Sequence, residues 1–112
     1  LTKEKISFDQ FDGVELKVAE VIHCEKVKGA DKLLKFRLNA GDNQDRQILS
    51  GVAEFYSDPA SLVGEKVVIV ANLAPRKIRG EISQGMILSA ESDGKLSIVK
   101  APKEMPNGAI IG

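Results

Sequence analysis

Hydrophobic and polar residues alternate over several short stretches of the chain, with the period of two that is typical of half-buried β-strands. Residues 14–18 alternate in this way, and the alternation slips at Ala19–Glu20 before the apolar run resumes at residues 21–22. We interpret the slip as a bulge or bend, the device by which a strand turns a corner in a small barrel. The first predicted strand is therefore bent.

A second alternating set occupies residues 34–40, and its pattern places Lys35 and Arg37 on the solvent-facing side. The segment 41–45 is rich in Gly, Asp and Asn and predicts a turn, and residues 47–50 predict the returning strand of a hairpin.

Further apolar runs predict the later strands. Residues 66–71 are rich in β-branched side chains and predict a central strand, and residues 86–88 and 96–99 predict two more. Asp93-Gly94 lies between the last two, and this pair is a strong hairpin signal because both central residues of the turn need positive φ. Residues 109–111 are a candidate final strand.

Two short helices are predicted. Ser7 with Gln10 three positions later is a capping-box pattern and favours a brief helix over residues 9–13. Asp58 followed by Pro59, with Gly64 beyond, has the cap, the first-turn proline and the terminating glycine of another.

These elements predict an all-β chain with short helices and extra C-terminal strands. The best match is the OB-fold, a five-stranded Greek-key barrel that we expect to be closed, and a small sandwich is the alternative. We expect one domain, with a helical lead-in over residues 1–13, the barrel over residues 14–100 and a C-terminal extension over residues 101–112.

The composition fits one ordinary soluble domain: 112 residues, 43% hydrophobic and 29% charged. No apolar run approaches the ~20 residues needed to cross a bilayer, so we expect no membrane partner. Cys24 is the only cysteine and cannot form an internal disulfide, which favours the cytoplasm. The sequence begins with Leu1 rather than Met, which is compatible with a fragment of a longer protein or a processed form.

The sequence predicts no catalytic site, no metal site and no cofactor. His23 and Cys24 are the only residues of their types, and neighbours on a strand point to opposite faces. Segment 80–85 lacks the lysine of a phosphate-binding loop. We therefore expect a binding domain rather than an enzyme.

Charge is balanced overall but unevenly distributed. The chain has sixteen basic and sixteen acidic residues. This balance excludes a protein that binds a polyanion through a strongly basic overall field. Residues 26–46 nevertheless carry an excess of basic residues, and a compact basic group follows Pro75. If the fold joins the two groups, a neutral protein carries a basic face; otherwise they are ordinary solvated charges.

The segment 72–86, NLAPRKIRGEISQGM, is the most informative part of the chain. We expect a long connection between two barrel strands, and loops of such length are usually functional. Its donors suited to phosphate oxygens are Arg76, Lys77 and Arg79. Its groups suited to base edges or ribose hydroxyls are Asn72, Ser83 and Gln84. Met86 could lie against a base or be a buried strand residue.

Four blocks carry a resemblance to a known family: FDGVELKVAEV, ADKLLKFRL, ILSGVAEFY and NLAPRKIRGEISQGMILSA. In this order and spacing they resemble the tRNA-binding domain family. That family includes the C-terminal appendage of bacterial methionyl-tRNA synthetases, which the leader here resembles most, and a free-standing structure-specific tRNA-binding protein.

The resemblance implies an OB-fold that binds tRNA by shape, forms a homodimer and, in the intact protein, is attached to a synthetase catalytic domain. The positions that it assigns to RNA binding are Asn72, Lys77, Arg79, Ser83 and Met86, with Lys32, Lys35 and Arg37 on the neighbouring strand. One departure is Gly29, where many members have Asn, so an RNA contact at that position is in doubt.

Two classes of function follow. The first is a non-catalytic tRNA-binding and dimerisation module; the second is a protein–protein assembly or chaperone-like module in which RNA is incidental. The two differ in whether Arg76, Lys77 and Arg79 cluster in space with Lys32 and Arg37. An enzyme is the third and weakest class.

Overall fold

The computed structural model describes residues 2–112, and most of its regular structure is β-strand; Leu1, the first residue of the predicted lead-in, lies outside the described residues. The strands are β1 (Leu16–Val27), β2 (Ala30–Asn39), β3 (Arg46–Ser50), β4 (Lys66–Val70), β5 (Arg76–Ile78), β6 (Glu81–Ser83), β7 (Met86–Ile87), β8 (Ser89–Ser92), β9 (Lys95–Ile98) and β10 (Ile110–Ile111). The helical elements are α1 (Phe8–Asp12) and two 3-10 helices, Ala53–Phe55 and Pro59–Leu62. Of the helices described, none could cross a membrane.

The main sheet has the order β3-β2-β1-β4-β7, with every pair antiparallel and β10 added to the start of β1. Strand β1 belongs to both halves of the sheet, because its residues 16–20 pair with β4 and residues 20–27 pair with β2. The register of the β1–β2 ladder shifts between Val21 and His23. The predicted bulge is therefore confirmed, just past the slip in the sequence pattern.

Two apolar clusters hold the fold together. The main one fills the inside of the sheet, and its largest fully buried side chains include Leu34, Phe36, Leu38, Ile48 and Ile69. A second cluster on the outside joins Val18 to Val68 and Ala101, under the C-terminal extension. The alternation of β2 is confirmed, since its apolar side chains lie in the main cluster and its basic ones outside.

The expectation of a closed barrel is wrong: within residues 2–112 no ladder joins edge strand β3 to edge strand β7. Strand β7 has two residues, which is too short to extend along β3, and β6 with Gln84 lies beside β3 instead. The backbone N–H of Gln84 donates to the Gln47 carbonyl at 2.7 Å. The all-β, OB-like architecture itself is confirmed.

Local signals are mostly confirmed. Helix α1 begins after Ser7, whose hydroxyl accepts from Gln10 N while the Gln10 side chain accepts from Ser7 N at 2.9 Å. Asp93 and Gly94 both have positive φ and connect β8 to β9. The helix expected after Asp58 is a 3-10 helix, and in the described chain the Asp58 side chain makes no capping hydrogen bond.

Candidate nucleic-acid interface

The segment expected to be a long loop is instead a β-hairpin, and this corrects the prediction. Strands β5 and β6 pair through Arg76↔Ser83, Lys77↔Ile82 and Ile78↔Glu81. The turn between them is Arg79-Gly80, with φ of 52° and 81°. Both central residues of a tight hairpin turn of this kind need positive φ, so the turn holds an arginine in a conformation that side chains rarely adopt. We refer to this unit as the basic hairpin (residues 76–83).

Strand alternation splits the basic run between two faces of the basic hairpin. Arg76 shares a face with Ser83, which is 3% exposed and points toward β3. Lys77 shares the opposite, solvent-facing side with Ile82. The sequence brings three cations together, and the structure directs them differently: Arg76 to one face, Lys77 to the other and Arg79 to the tip.

Side chains attach the basic hairpin to β3. The Ser83 hydroxyl accepts from the backbone N–H of Leu49 at 3.0 Å, and the Gln84 side-chain oxygen accepts from Gln47 N at 2.8 Å. Arg46 donates to the Gln84 carbonyl at 3.0 Å. These bonds satisfy backbone groups along the free edge of β3, where another strand would pair in a closed barrel. Ser83 and Gln84, both predicted to contact RNA, therefore have a structural role in this arrangement.

Asn72 lies where β4 ends, at the other side of the segment. Its Nδ2 donates to the Gly13 carbonyl at 2.7 Å and its Oδ1 accepts from Glu15 N at 2.9 Å. One side chain thus ties the end of β4 to the segment between α1 and β1. Met86, the other neutral predicted contact, is about half exposed at the start of β7.

Lys32 and Arg79 meet in space. Both line a cavity of about 360 Å³ between the β1–β2 turn and the tip of the basic hairpin, together with Gly29, Asp31 and Leu33. Gly29 has a φ of +80°, and a side chain there would meet open space. That backbone conformation is one that glycine and asparagine adopt most readily, which gives position 29 a conformational requirement independent of any RNA contact. We call Lys32 and Arg79, together with Lys77 on the solvent-facing side of the same hairpin, the cationic corner.

Lys35 and Arg37 lie apart from this corner on what we call the strand face, the outer surface of β1–β3 that carries His23, Glu25, Lys35, Arg37 and Gln47. Lys35 Nζ is 3.1 Å from Glu81 Oε2 and 3.7 Å from Glu25 Oε1. Its hydrogen bond and attraction to Glu81 raise the pKa of the Lys35 ammonium. Arg37 Nε is 3.5 Å from Asp45 Oδ2. The strand face therefore carries cations that acids already accompany.

The cationic corner has no such partners. Across residues 2–112, no carboxylate oxygen lies within 4.0 Å of the charged nitrogens of Lys32, Arg76, Lys77 or Arg79. All four side chains are exposed. An anion can approach them without displacing a protein carboxylate, which is the condition for a phosphate site.

His23 and Cys24 face opposite ways, as expected from their places on β1. His23 is exposed, and its Nε2 is 3.8 Å from Glu25 Oε1. Cys24 is buried, and burial, with the nearby Glu25 charge, raises the pKa of its thiol to about 12. Among the described residues no group of three or more His, Cys, Asp or Glu side chains could hold a metal ion.

A separate apolar surface occupies the opposite end of β1, where the lead-in and the C-terminal extension meet. Its apolar side chains Phe8, Phe11, Val14, Leu16 and Ile110 line a cavity of about 330 Å³, with Asp12, Glu15 and residues 111–112 completing the lining. Phe8 is 73% exposed and Ile110 69%. We call this the terminal apolar surface. Neither phenylalanine stands out in the sequence, because the surface exists only once the two ends of the chain lie side by side.

The chain matches a known protein family and known proteins over most of its length. Residues 16–110 match the profile of the family described as "Putative tRNA binding domain". A methionine–tRNA ligase of Enterococcus faecalis is 78% identical over 110 residues, covering 96% of this chain. The chain spans 16% of the length of that relative.

Solved structures give the same picture. A MetRS-related protein from Pyrococcus horikoshii superposes with a TM-score of 0.90 at 37% identity, covering 98% of this chain and all of the other. The chaperone CsaA from Bacillus anthracis superposes with a TM-score of 0.86 at 23% identity, covering 97% of this chain. The second likeness is one of fold alone.

Proposed function

The chain belongs to the tRNA-binding domain family, and on that premise we propose that it is the non-catalytic C-terminal appendage of a cytoplasmic methionine–tRNA ligase. The high identity to a ligase of which it spans a small part supports this assignment. The appendage adds affinity for tRNA, and the chemistry belongs to the parent enzyme. A free-standing tRNA-binding protein is the second candidate, favoured by the likeness to the whole length of the Pyrococcus protein.

We propose that the cationic corner makes the principal contacts with tRNA phosphates. The observation that supports this is that Lys32 and Arg79 line one cavity and that, in the described chain, neither has a carboxylate oxygen within 4.0 Å of its charged nitrogens, although Asp31 lines the same cavity. Arginine can engage two phosphate oxygens at once, and lysine adds a compact charge. Arg76, exposed on the other face of the basic hairpin, is a further cation available to a phosphate.

Recognition by shape fits the side chains that are present. Bases are usually read by stacking on aromatic rings, and only 4% of this chain is aromatic. Asn72, Ser83 and Gln84 hold the basic hairpin and its flanks in place, so that the cations keep a fixed spacing. A fixed set of cations reads the spacing of phosphates rather than the identity of bases.

We further propose that the terminal apolar surface joins two copies of the chain. Isolated exposed apolar residues are common, but a contiguous group at a cavity marks an interaction site. A dimer would carry two cationic corners and, in the intact ligase, would link two enzymes. Once one corner contacts a tRNA, the other is held nearby, which raises the effective concentration for the second contact. This compensates for the few cations on each copy.

Titration of the domain with tRNA over a series of salt concentrations tests the proposal. About four phosphate contacts predict a log–log slope with a magnitude of roughly 3–4, because each neutralised phosphate releases about 0.7–0.9 of a counterion. Absence of binding, or binding with no dependence on salt, would contradict the assignment. Fusion to the parent ligase should give tighter binding than the ligase without the domain.

A further inference from the structure

The strand face is basic in sequence and close to neutral in space. Lys35 is within 4 Å of two carboxylates, those of Glu81 and Glu25, and Arg37 is paired with Asp45. A phosphate that approaches Lys35 must displace the nearer carboxylate and also meet the repulsion of the other. Lys35 is thus available to an anion only at the expense of a contact that the protein already makes.

Glu81 is the acid that reaches Lys35 from the basic hairpin. Its two oxygens are divided, since Oε2 is 3.1 Å from Lys35 Nζ and Oε1 is 3.4 Å from Gln47 Nε2. The Lys35 and Glu81 side chains are 28% and 36% exposed, so water screens the pair only in part. The carboxylate links the basic hairpin to β2 and β3 and neutralises the cation beneath it.

Attachment of the basic hairpin does not depend on Glu81 alone. Ser83 accepts from Leu49 N, Gln84 accepts from Gln47 N, and Gln47 Nε2 also donates to the Ile82 carbonyl at 2.9 Å. The negative charge of Glu81 is therefore not required to position the hairpin. Its contribution beyond a neutral side chain of the same shape is electrostatic.

We propose that Glu81 is a specificity determinant of nucleic-acid binding, which occupies Lys35 and confines the anion-binding surface to the cationic corner and Arg76. This inference rests on the proposed function. Phosphate contacts are independent of sequence, and every additional free cation strengthens binding to any polyanion. Masking Lys35 keeps binding weak for polymers whose phosphates do not match the corner.

The test replaces Glu81 by Gln, which keeps the shape and an acceptor for Gln47. The dissociation constants of the wild type and Glu81→Gln are measured for tRNA and for a DNA duplex of similar length, over a series of salt concentrations. We expect both polymers to bind the variant more tightly at low salt, by roughly twofold to tenfold, with a slope steeper by up to about 0.9. The gain should be larger for DNA, so the ratio of the two affinities falls.

Glu65→Gln is the matched control. Glu65 pairs with Lys100 at 3.5 Å just before β4, and β1 separates β4 from β2 in the sheet. Like Glu81→Gln, the Glu65→Gln substitution removes one negative charge, and it frees Lys100 instead of Lys35. An equal gain in Glu65→Gln would show that net charge alone is responsible and would overturn the proposal.

A second arm repeats Glu81→Gln in a Lys35→Gln background, where the gain should vanish. Persistence of the gain there overturns the proposal, as does an unchanged or weaker affinity of Glu81→Gln with an unchanged unfolding midpoint. Should Glu81→Gln fail to fold, Lys35→Gln decides, because it should weaken tRNA binding less than Arg79→Gly does. Failure of the proposed function would differ, since the wild type itself would then not bind tRNA.

Discussion

Lys32 and Arg79 are far apart in the sequence, yet they line the same cavity between the β1–β2 turn and the tip of the basic hairpin. Arg79 has a φ of 52° and occupies the turn of the basic hairpin, beyond the last pair of β5 and β6. Backbone strain at a surface turn is a feature that functional sites retain when the side chain matters.

Arg79→Gly should separate the charge of this residue from its role in the turn. Glycine adopts positive φ without strain, so the hairpin should be kept and stability unchanged or slightly raised. Loss of one phosphate contact should weaken tRNA binding by roughly threefold to tenfold and reduce the salt slope by about 1. Titration at several salt concentrations measures both quantities.

Lys95→Ala supplies the comparison for that experiment. Lys95 is exposed in the β8–β9 hairpin, on a different two-stranded sheet from the basic hairpin. An equal loss of affinity in Lys95→Ala would indicate a diffuse effect of net charge and would remove the case for the corner.

Ser83→Ala should destabilise the domain by about 1–3 kcal/mol. The substitution leaves the buried N–H of Leu49 without its acceptor, and such a group costs most of its desolvation free energy. Chemical denaturation measures the loss, and Ser97→Ala, at an exposed position of β9, should change stability by less than about 0.5 kcal/mol. Equal stability of the two variants would mean that the Ser83 hydroxyl does not hold the hairpin.

Gly108→Ala should be more disruptive than Gly94→Ala, although both glycines have positive φ. A Cβ at position 108 would lie 2.8 Å from the Ala40 carbonyl oxygen, whereas one at position 94 would meet open space. We expect a loss of about 1–2 kcal/mol from backbone strain at either site and a further loss from the clash at position 108. Similar unfolding midpoints for the two would contradict this packing.

Features that depend on neighbours in the sequence could be predicted from it. The capping pair Ser7 and Gln10, the Asp93-Gly94 turn and the alternation of β2 are each encoded within a few residues. The hairpin at Arg79-Gly80 is not predictable from residue type, because arginine is an unusual residue at positive φ. No period-two pattern marks the hairpin either, since Ile78 pairs with Glu81 and Ile82 pairs with Lys77 on the opposite face.

Contacts between distant segments could not be predicted in the same way. The alternation of β2 places Lys35 and Arg37 on a solvent-facing side. Nothing in the neighbouring sequence indicates that Glu81, on the basic hairpin, would reach Lys35 on β2. Likewise the hydrogen-bonding capacity of Ser83 and Gln84 suits contacts with RNA, and the fold directs that capacity to Leu49 and Gln47. The residue types determine which charges and hydrogen-bonding groups are present. The tertiary contacts determine which of those groups remain free to bind a ligand.

Cys24 should make stability fall at alkaline pH. Burial raises the pKa of its thiol to about 12, above the ~8.5 of an unfolded cysteine, so deprotonation favours the unfolded chain. The stabilisation is complete below pH ~8.5 and is lost as pH rises toward 12. Chemical denaturation at pH 8 and pH 10 should show a larger decrease for the wild type than for Cys24→Ala. Equal decreases would mean that the thiol ionises as readily in the folded protein.

Ile110→Asp should abolish dimerisation without unfolding the domain. Ile110 is 69% exposed, and its strand β10 pairs with β1 through backbone groups that the substitution leaves in place. A charge at the centre of an apolar interface would be buried without a partner, which costs several kcal/mol and favours the monomer. Sedimentation equilibrium should give a dimer for the wild type and a monomer for the variant. Val63→Asp, at another exposed apolar position, should remain dimeric.

The monomeric Ile110→Asp variant should also bind tRNA more weakly, because the second cationic corner is no longer linked to the first. A wild type that sediments as a monomer, or a monomeric variant with undiminished affinity, would contradict the role of the terminal apolar surface.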